Sequence, residues 1–64
     1  MCLAAVYGKK DDNESLILRN ASRIDVDGEK IVIRDIIGME TIVEGSIEMV
    51  DLANAVVKIR LTAD

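Results

Sequence analysis

Histidine is absent from the sequence, as are proline, phenylalanine and tryptophan. Histidine is the most common general base in enzymes, so its absence removes Ser-His-Asp and Cys-His catalytic pairs. The four glycines are isolated from one another and lack the spacing of a phosphate-binding loop. The sequence therefore predicts a protein that is not an enzyme and has no nucleotide site.

Cysteine is also scarce, because Cys2 is the only one in the chain. A single cysteine cannot form an intrachain disulfide, which indicates a reduced protein rather than a small secreted domain. No basic segment precedes the first apolar residues, and no apolar run approaches the roughly 18 residues that span a bilayer. We therefore expect a cytoplasmic protein without a membrane partner.

Clustered positive charge is missing as well. The 8 Lys and Arg residues are scattered among 12 Asp and Glu residues, and the net charge is -4. Phosphate binding depends on clustered Lys and Arg, and single-stranded bases stack on aromatic side chains, of which Tyr7 is the only one here. We expect no nucleic-acid partner.

The sequence is rich in aliphatic residues: half of it is apolar, almost all of it Ile, Val, Leu, Ala and Met. Such a composition is far from that of disordered chains and predicts one folded domain over residues 1–64. A chain of this length buries only about 60% of its unfolded surface, so a monomer would be marginally stable. We expect the protein to oligomerise.

The spacing of the apolar residues predicts β-strands. Apolar and polar residues alternate on both sides of Asp27-Gly28, which is a typical signal of a β-hairpin. Gly8 and the polar residues 9–13 are expected to end the first strand and to form a loop. The predicted strands outside the hairpin cover residues 2–7, 15–18, 39–43 and 57–61.

Residues 46–57 allow two interpretations. Several of their apolar residues have helical spacing, and Ser46 could cap a helix. We favour a strand through Ile47 and Met49, followed by a turn at residues 51–54. Strands that recur every eight to twelve residues or so predict an all-β fold, either a small barrel or a sandwich.

Two other groups of residues could in principle bind metal, but we expect both to have structural roles. Asp11, Asp12 and Glu14 lack the oxygen spacing of a calcium loop, so we expect a solvated loop. Met39 and Met49 are expected in the core, because thioether sites for copper usually bring several methionines close together.

Cys2 lies one residue from the amino terminus, where its thiolate, its backbone amide and the amine of Met1 can close five-membered chelate rings on one metal ion. The alternative is a small buried residue on the first strand, since free cysteine is among the most buried residue types. If two chain ends meet at a two-fold axis, two thiolates and two nitrogens form a square-planar set. Such a set suits nickel or divalent copper, whereas zinc prefers a tetrahedron.

Four features extend over nearly the whole chain: the opening Met1-Cys2-Leu3-Ala4, the Asp27-Gly28 hairpin, the Gly45-Ser46-Ile47 step before Val50-Asp51-Leu52, and the final apolar strand. Together they resemble the CooT family of small nickel-binding proteins. The resemblance implies an Sm-like or SH3-like β barrel that forms a homodimer and binds one Ni(II) ion per dimer through Cys2. It also implies a metallochaperone role, with carbon monoxide dehydrogenase or its maturation proteins as partners.

Two other functions stay open at this point. An Sm-like barrel is also an RNA-binding scaffold, although the acidic charge and the single aromatic residue oppose that function. The thiol of Cys2 could instead be redox-active and form an interchain disulfide or a glutathione adduct.

Overall fold

Five strands form a closed barrel in the computed structural model, which describes residues 3–62. The strands are β1 (Ala4–Lys10), β2 (Asn13–Asp27), β3 (Lys30–Asp35), β4 (Glu40–Asp51) and β5 (Val56–Leu61). Consecutive strands pair antiparallel, and β1 closes the ring by pairing parallel with β5. The predicted all-β fold is confirmed, and of the two predicted architectures the barrel is the one that forms. Within residues 3–62, no helix is long and apolar enough to cross a membrane.

A two-residue turn joins β2 to β3. Asp27 pairs with Lys30, so the turn consists of Gly28 and Glu29, and Gly28 has a φ of 61°. A positive φ at the first turn position favours glycine, which has no Cβ to clash with the backbone. The predicted hairpin is confirmed, and its turn lies one residue further along the chain than Asp27-Gly28.

β1 is longer than the sequence predicts. It continues through Gly8 to Lys10, which pairs with Asn13. Asp11 turns the chain with a φ of 56°, a conformation that aspartate adopts more readily than most residues. The predicted stop at Gly8 and the predicted loop over residues 9–13 are wrong, because Gly8 occupies a buried position inside the sheet.

Small aliphatic side chains fill the interior of the barrel. The buried core residues are Val6, Ala21, Ile31, Ile33, Val57 and Ile59. They come from β1, β2, β3 and β5, and Val43 of β4 packs against them. Because this core is small and contains no aromatic ring, its burial contributes limited stability to a single chain.

A β-bulge at Glu48 changes the pairing of β4 with β5. Ile47 and Val50 pair with the core residues Ile59 and Val57 but are themselves exposed, whereas Met49 pairs with Lys58 on the outer face of the barrel. An extra residue in one strand reverses the alternation that follows it. The predicted core position of Met49 is wrong for this reason.

Met39 also lies outside the core. β3 ends at Asp35 and β4 begins at Glu40, so Met39 belongs to the connecting loop. Its side chain is 63% exposed. The predicted strand over residues 39–43 is confirmed from Glu40 onward, and the predicted core role of Met39 is wrong.

Residues 46–57 contain no helix. They form the second half of β4, a turn at residues 52–55 and the start of β5. Ala55 ends the turn with a φ of 55°. The strand interpretation of this segment is confirmed.

β4 changes its partner at Gly45, pairing with β3 before this residue and with β5 after it. The Gly45 amide donates to the Glu29 carbonyl at 2.7 Å, and the Thr62 amide donates to the Glu44 carbonyl at 3.0 Å. A Cβ atom on residue 45 would lie 2.1 Å from the carbonyl oxygen of Arg60. Glycine is required here because the backbone of β5 occupies the space that a side chain would need.

We expect Gly45→Ala to destabilise the barrel by roughly 3 kcal/mol or more, a large part of the ~3–10 kcal/mol typical of a chain of this size. The added methyl group would meet backbone atoms, which cannot move aside as a flexible side chain can. Urea unfolding followed by far-ultraviolet circular dichroism measures the change. Ser46→Ala, at the next and exposed position, is the control and should change the free energy of unfolding by less than about 0.5 kcal/mol. Equal unfolding curves for the two variants would contradict the close contact.

Candidate functional site

Both candidate metal ligands predicted from the sequence, Met1 and Cys2, lie outside the described residues. The nearest described residue is Leu3, and its surroundings form the described part of the candidate site. Among residues 3–62, no group of three or more cysteine, histidine, aspartate or glutamate side chains is arranged to hold a metal ion.

Two strands hold the beginning of β1 in place. Ala4 pairs with Ala21 near the middle of β2. The backbone amide of Ala5 donates to the carbonyl of Ala55, just before β5, at 2.9 Å. These small residues allow the strands to approach closely, so the first described residues of the chain lie between β2 and β5.

Leu3 lines an open cleft of about 460 Å³. Aliphatic side chains from β2, β4, the β4–β5 turn and β5 form much of its wall, including Ile24, Val50, Leu52 and Val56. Val50 is 52% exposed and Leu52 is 87% exposed. Single exposed apolar residues are ordinary on protein surfaces, whereas a contiguous apolar cleft indicates an interaction site.

The polar side chains beside the cleft are engaged in hydrogen bonds. The Ser22 hydroxyl donates to the carbonyl oxygen of Asp35 at 3.0 Å, and Arg23 pairs with the Asp25 carboxylate at 3.0 Å. Asp51, on the opposite wall, accepts hydrogen bonds within its own turn. The cleft consequently offers mainly apolar contacts to whatever covers it.

Asp51 shapes the turn that carries Leu52. Its Oδ1 accepts from the backbone N–H of Asn54 at 3.0 Å, and its Oδ2 accepts from the side-chain amide of Asn54 at 2.9 Å. The side-chain hydrogen bond from Asn54, followed by the backbone one, lowers the pKa of Asp51 below its usual value because both stabilise the ionised carboxylate. The turn therefore holds Leu52 in solvent at the rim of the cleft.

The acidic residues near the β1–β2 turn do not converge on one point. Asp11 and Asp12 form the exposed turn, whereas Glu14 pairs with Lys58 of β5 at 3.3 Å. Their exposure agrees with the predicted solvated segment.

The sequence does not predict the cleft, because its walls come from segments that are far apart in the chain. Leu52 is the one residue whose sequence position indicates part of the cleft. An aliphatic residue inside a predicted turn at residues 51–54 has no strand face to bury it, and this indicates exposure.

Comparison with known proteins identifies the family. Residues 1–60 match the family model described as the CO dehydrogenase accessory protein CooT, where CO is carbon monoxide. A crystal structure described as CooT from Carboxydothermus hydrogenoformans has a TM-score of 0.85 to this chain. It is 18% identical in sequence, and the match covers 97% of this chain and 100% of that chain, which shows a common fold. Comparison with curated protein sequences gives no match. The family resemblance found in the sequence is confirmed.

We expect Asn54→Ala to raise the pKa of Asp51 part of the way toward the usual aspartate value of about 3.9, since one of its hydrogen bonds is removed. In the wild type, ionised Asp51 stabilises the fold above the unfolded-state pKa. This contribution is lost as the pH falls through the lower folded-state pKa, so the variant should lose less stability on acidification. Titration of the carboxyl carbon by nuclear magnetic resonance measures the shift. Asn20→Ala, at an exposed position of β2, is the control, and an identical Asp51 titration in both variants would count against the described turn.

Proposed function

The chain belongs to the CooT family of CO dehydrogenase accessory proteins, and we propose that it binds Ni(II) as a homodimer and stores or delivers the ion for maturation of that enzyme. The proposed ligands are Cys2 of both chains, together with nitrogen atoms from the amino termini. The observation that carries the proposal is the sequence position of the single cysteine, which comes one residue before Leu3, and Leu3 lines the apolar cleft.

The proposed donor atoms form compact chelate rings. With Met1 retained, its amine and the deprotonated amide of Cys2 bind beside the sulfur. After removal of Met1, Cys2 itself supplies both an amine and a thiolate. In either case two chains complete a set with two sulfur atoms, and square-planar sulfur and nitrogen ligation suits Ni(II) and Cu(II) better than Zn(II).

A second chain is needed because each chain offers one thiolate. The cleft supports this assembly, since Leu3, Val50 and Leu52 present apolar surface beside the start of β1. Removing such surface from water is the main favourable term in protein association. A homodimer that covers the cleft brings the two chain starts together and adds stability to a small core.

The proposed role is that of a carrier in the reducing cytoplasm. The buried core consists of aliphatic side chains from the strands, and we expect it to stay folded without metal. Nickel is therefore cargo, and it can be exchanged at the chain end while the barrel stays folded. The proposal assigns no catalytic residue to the chain.

The RNA-binding alternative has less support. Lys58 and Arg60 lie on the outer face of β5, but Lys58 pairs with Glu14 and Arg60 pairs with Glu48. The hydrogen bond from Arg60 lowers the pKa of Glu48, so this carboxylate is ionised at neutral pH. These pairs weaken the positive field that phosphate groups require.

We expect nickel titration of the wild type to produce sulfur-to-nickel charge-transfer absorption that saturates at one ion per dimer. Cys2→Ser should lose this absorption and weaken nickel binding by more than about 100-fold, because it removes the thiolate. Met49→Leu, which replaces a thioether on the outer face, is the control and should titrate like the wild type. Sedimentation velocity on the same samples measures the assembly. Absorption that survives in Cys2→Ser, or a wild type that stays monomeric with and without nickel, would refute the proposal.

We expect nickel affinity to rise between about pH 6 and about pH 8, by about tenfold per pH unit for each proton that binding releases. Free cysteine is mostly protonated at neutral pH, and a backbone amide loses its proton only to metals such as Ni(II) and Cu(II). Competition calorimetry at several pH values should also place Zn(II) below Ni(II), with Cu(II) as a competitor. An affinity that does not change with pH, or tighter binding of zinc, would exclude the thiolate and amide donors.

A further inference from the structure

The loop between β3 and β4, residues 36–39, exposes three large apolar side chains. Ile36 is 51% exposed, Ile37 is 81% exposed and Met39 is 63% exposed. The loop does not line the cleft at the start of β1. It is therefore an apolar surface separate from the one that the proposed dimer covers.

Asp35 holds this loop in a defined conformation. Its Oδ1 accepts from the backbone N–H groups of Ile37 at 3.0 Å and of Met39 at 2.9 Å. Its own amide donates to the carbonyl of Met39 at 2.9 Å, and the Gly38 amide donates to the carbonyl of Asp35 at 3.1 Å. A loop ordered in this way loses little conformational entropy when it binds, so its exposed side chains are preorganised for contact.

The base of the loop is also attached to β2. The Ser22 hydroxyl lies 3.0 Å from the carbonyl oxygen of Asp35 and 3.3 Å from that of Arg34, and it donates to these acceptors. Rigid elements on both sides thus support the exposed residues, as precise binding sites require.

Charges at the base of the loop indicate what kind of surface it fits. Arg23 pairs with Asp25 and Arg34 pairs with Glu40, which leaves the carboxylate of Asp35 in excess. The whole chain has a net charge of -4. A complementary surface has an apolar pocket with a neutral or basic rim, whereas an anionic bilayer would be repelled.

We propose that residues 36–39 form the docking element for CO dehydrogenase, with Ile37 inserted into an apolar pocket of the enzyme whose rim is basic. The inference rests on the accessory role in the proposed function, which requires contact with that enzyme. Ile37 is the most exposed of the three large apolar residues in the loop. An aliphatic anchor on a rigid loop is the kind of residue that carries much of the energy of a protein interface.

The test measures binding of the full-length chain to purified, metal-free CO dehydrogenase by biolayer interferometry. Ile37→Thr should weaken binding by about tenfold or more, because threonine keeps the branched shape and loses apolar surface. Ile42→Thr is the matched control, since Ile42 is 56% exposed on the outer face of β4, away from both the loop and the cleft. This control should bind within about twofold of the wild type.

Companion measurements on the same samples separate the possible occupants of the loop. Equal affinities for Ile37→Thr, Ile42→Thr and the wild type would overturn the proposal. Loss of the dimer in Ile37→Thr would assign the loop to a second copy of the chain, and Ile37-dependent binding to phosphatidylglycerol vesicles would assign it to lipid. A wild type that binds nickel but not the enzyme overturns the docking inference alone, whereas a wild type that binds the enzyme but not nickel overturns only the nickel site.

Discussion

The contact between the backbone of β4 at Gly45 and the backbone of β5 is the constraint on which the barrel depends. β4 leaves β3 and joins β5 within one continuous strand, and a side chain on residue 45 would collide with the Arg60 carbonyl. With this change of partner each of the five described strands has two neighbours and the ring closes, while each half of β4 pairs with one neighbour only. The narrow ring encloses aliphatic side chains, and Tyr7, the only aromatic residue, pairs with Lys58 on the outer face instead.

A small interior leaves part of the apolar residues of the chain on the surface, and two groups of them form distinct regions. One is the cleft beside Leu3, and the other is the loop after β3. In both regions the preceding strand ends in an aspartate whose carboxylate orders the turn. Asp35 and Asp51 accept hydrogen bonds from backbone N–H groups of the turn that follows. The exposed aliphatic side chains therefore belong to ordered turns, which favours specific contacts over non-specific association.

Local patterns predicted much of this fold, and the failures occurred where non-local geometry decided the outcome. The Asp27-Gly28 hairpin followed from turn chemistry and alternation, and both are local. Gly8 was expected to end β1, but tertiary packing buries it within the sheet. The bulge at Glu48 sent Met49 to the outer face, and alternation alone contains no signal for an inserted residue. The chemistry proposed for Cys2 rests on its place in the sequence, whereas the apolar cleft required the folded chain.

In the proposed function, three tasks belong to different regions of the chain: the barrel provides stability, the chain end binds the metal, and the loop around Ile37 contacts the enzyme. These tasks conflict when one region must perform them all. The barrel is closed by backbone pairing around an aliphatic core, and in the proposed function its stability does not depend on the metal ion that it carries. In the proposed site the metal is held at the chain end by Cys2, where exchange requires movement of a terminus and not unfolding of the domain. A structural site with four protein ligands would couple release of the ion to loss of the fold. The loop around Ile37 lies outside the cleft, so in the proposed arrangement the loop stays accessible to a partner enzyme when a second chain covers the cleft. Docking can then precede release of the ion, which is the order that direct transfer to an enzyme requires.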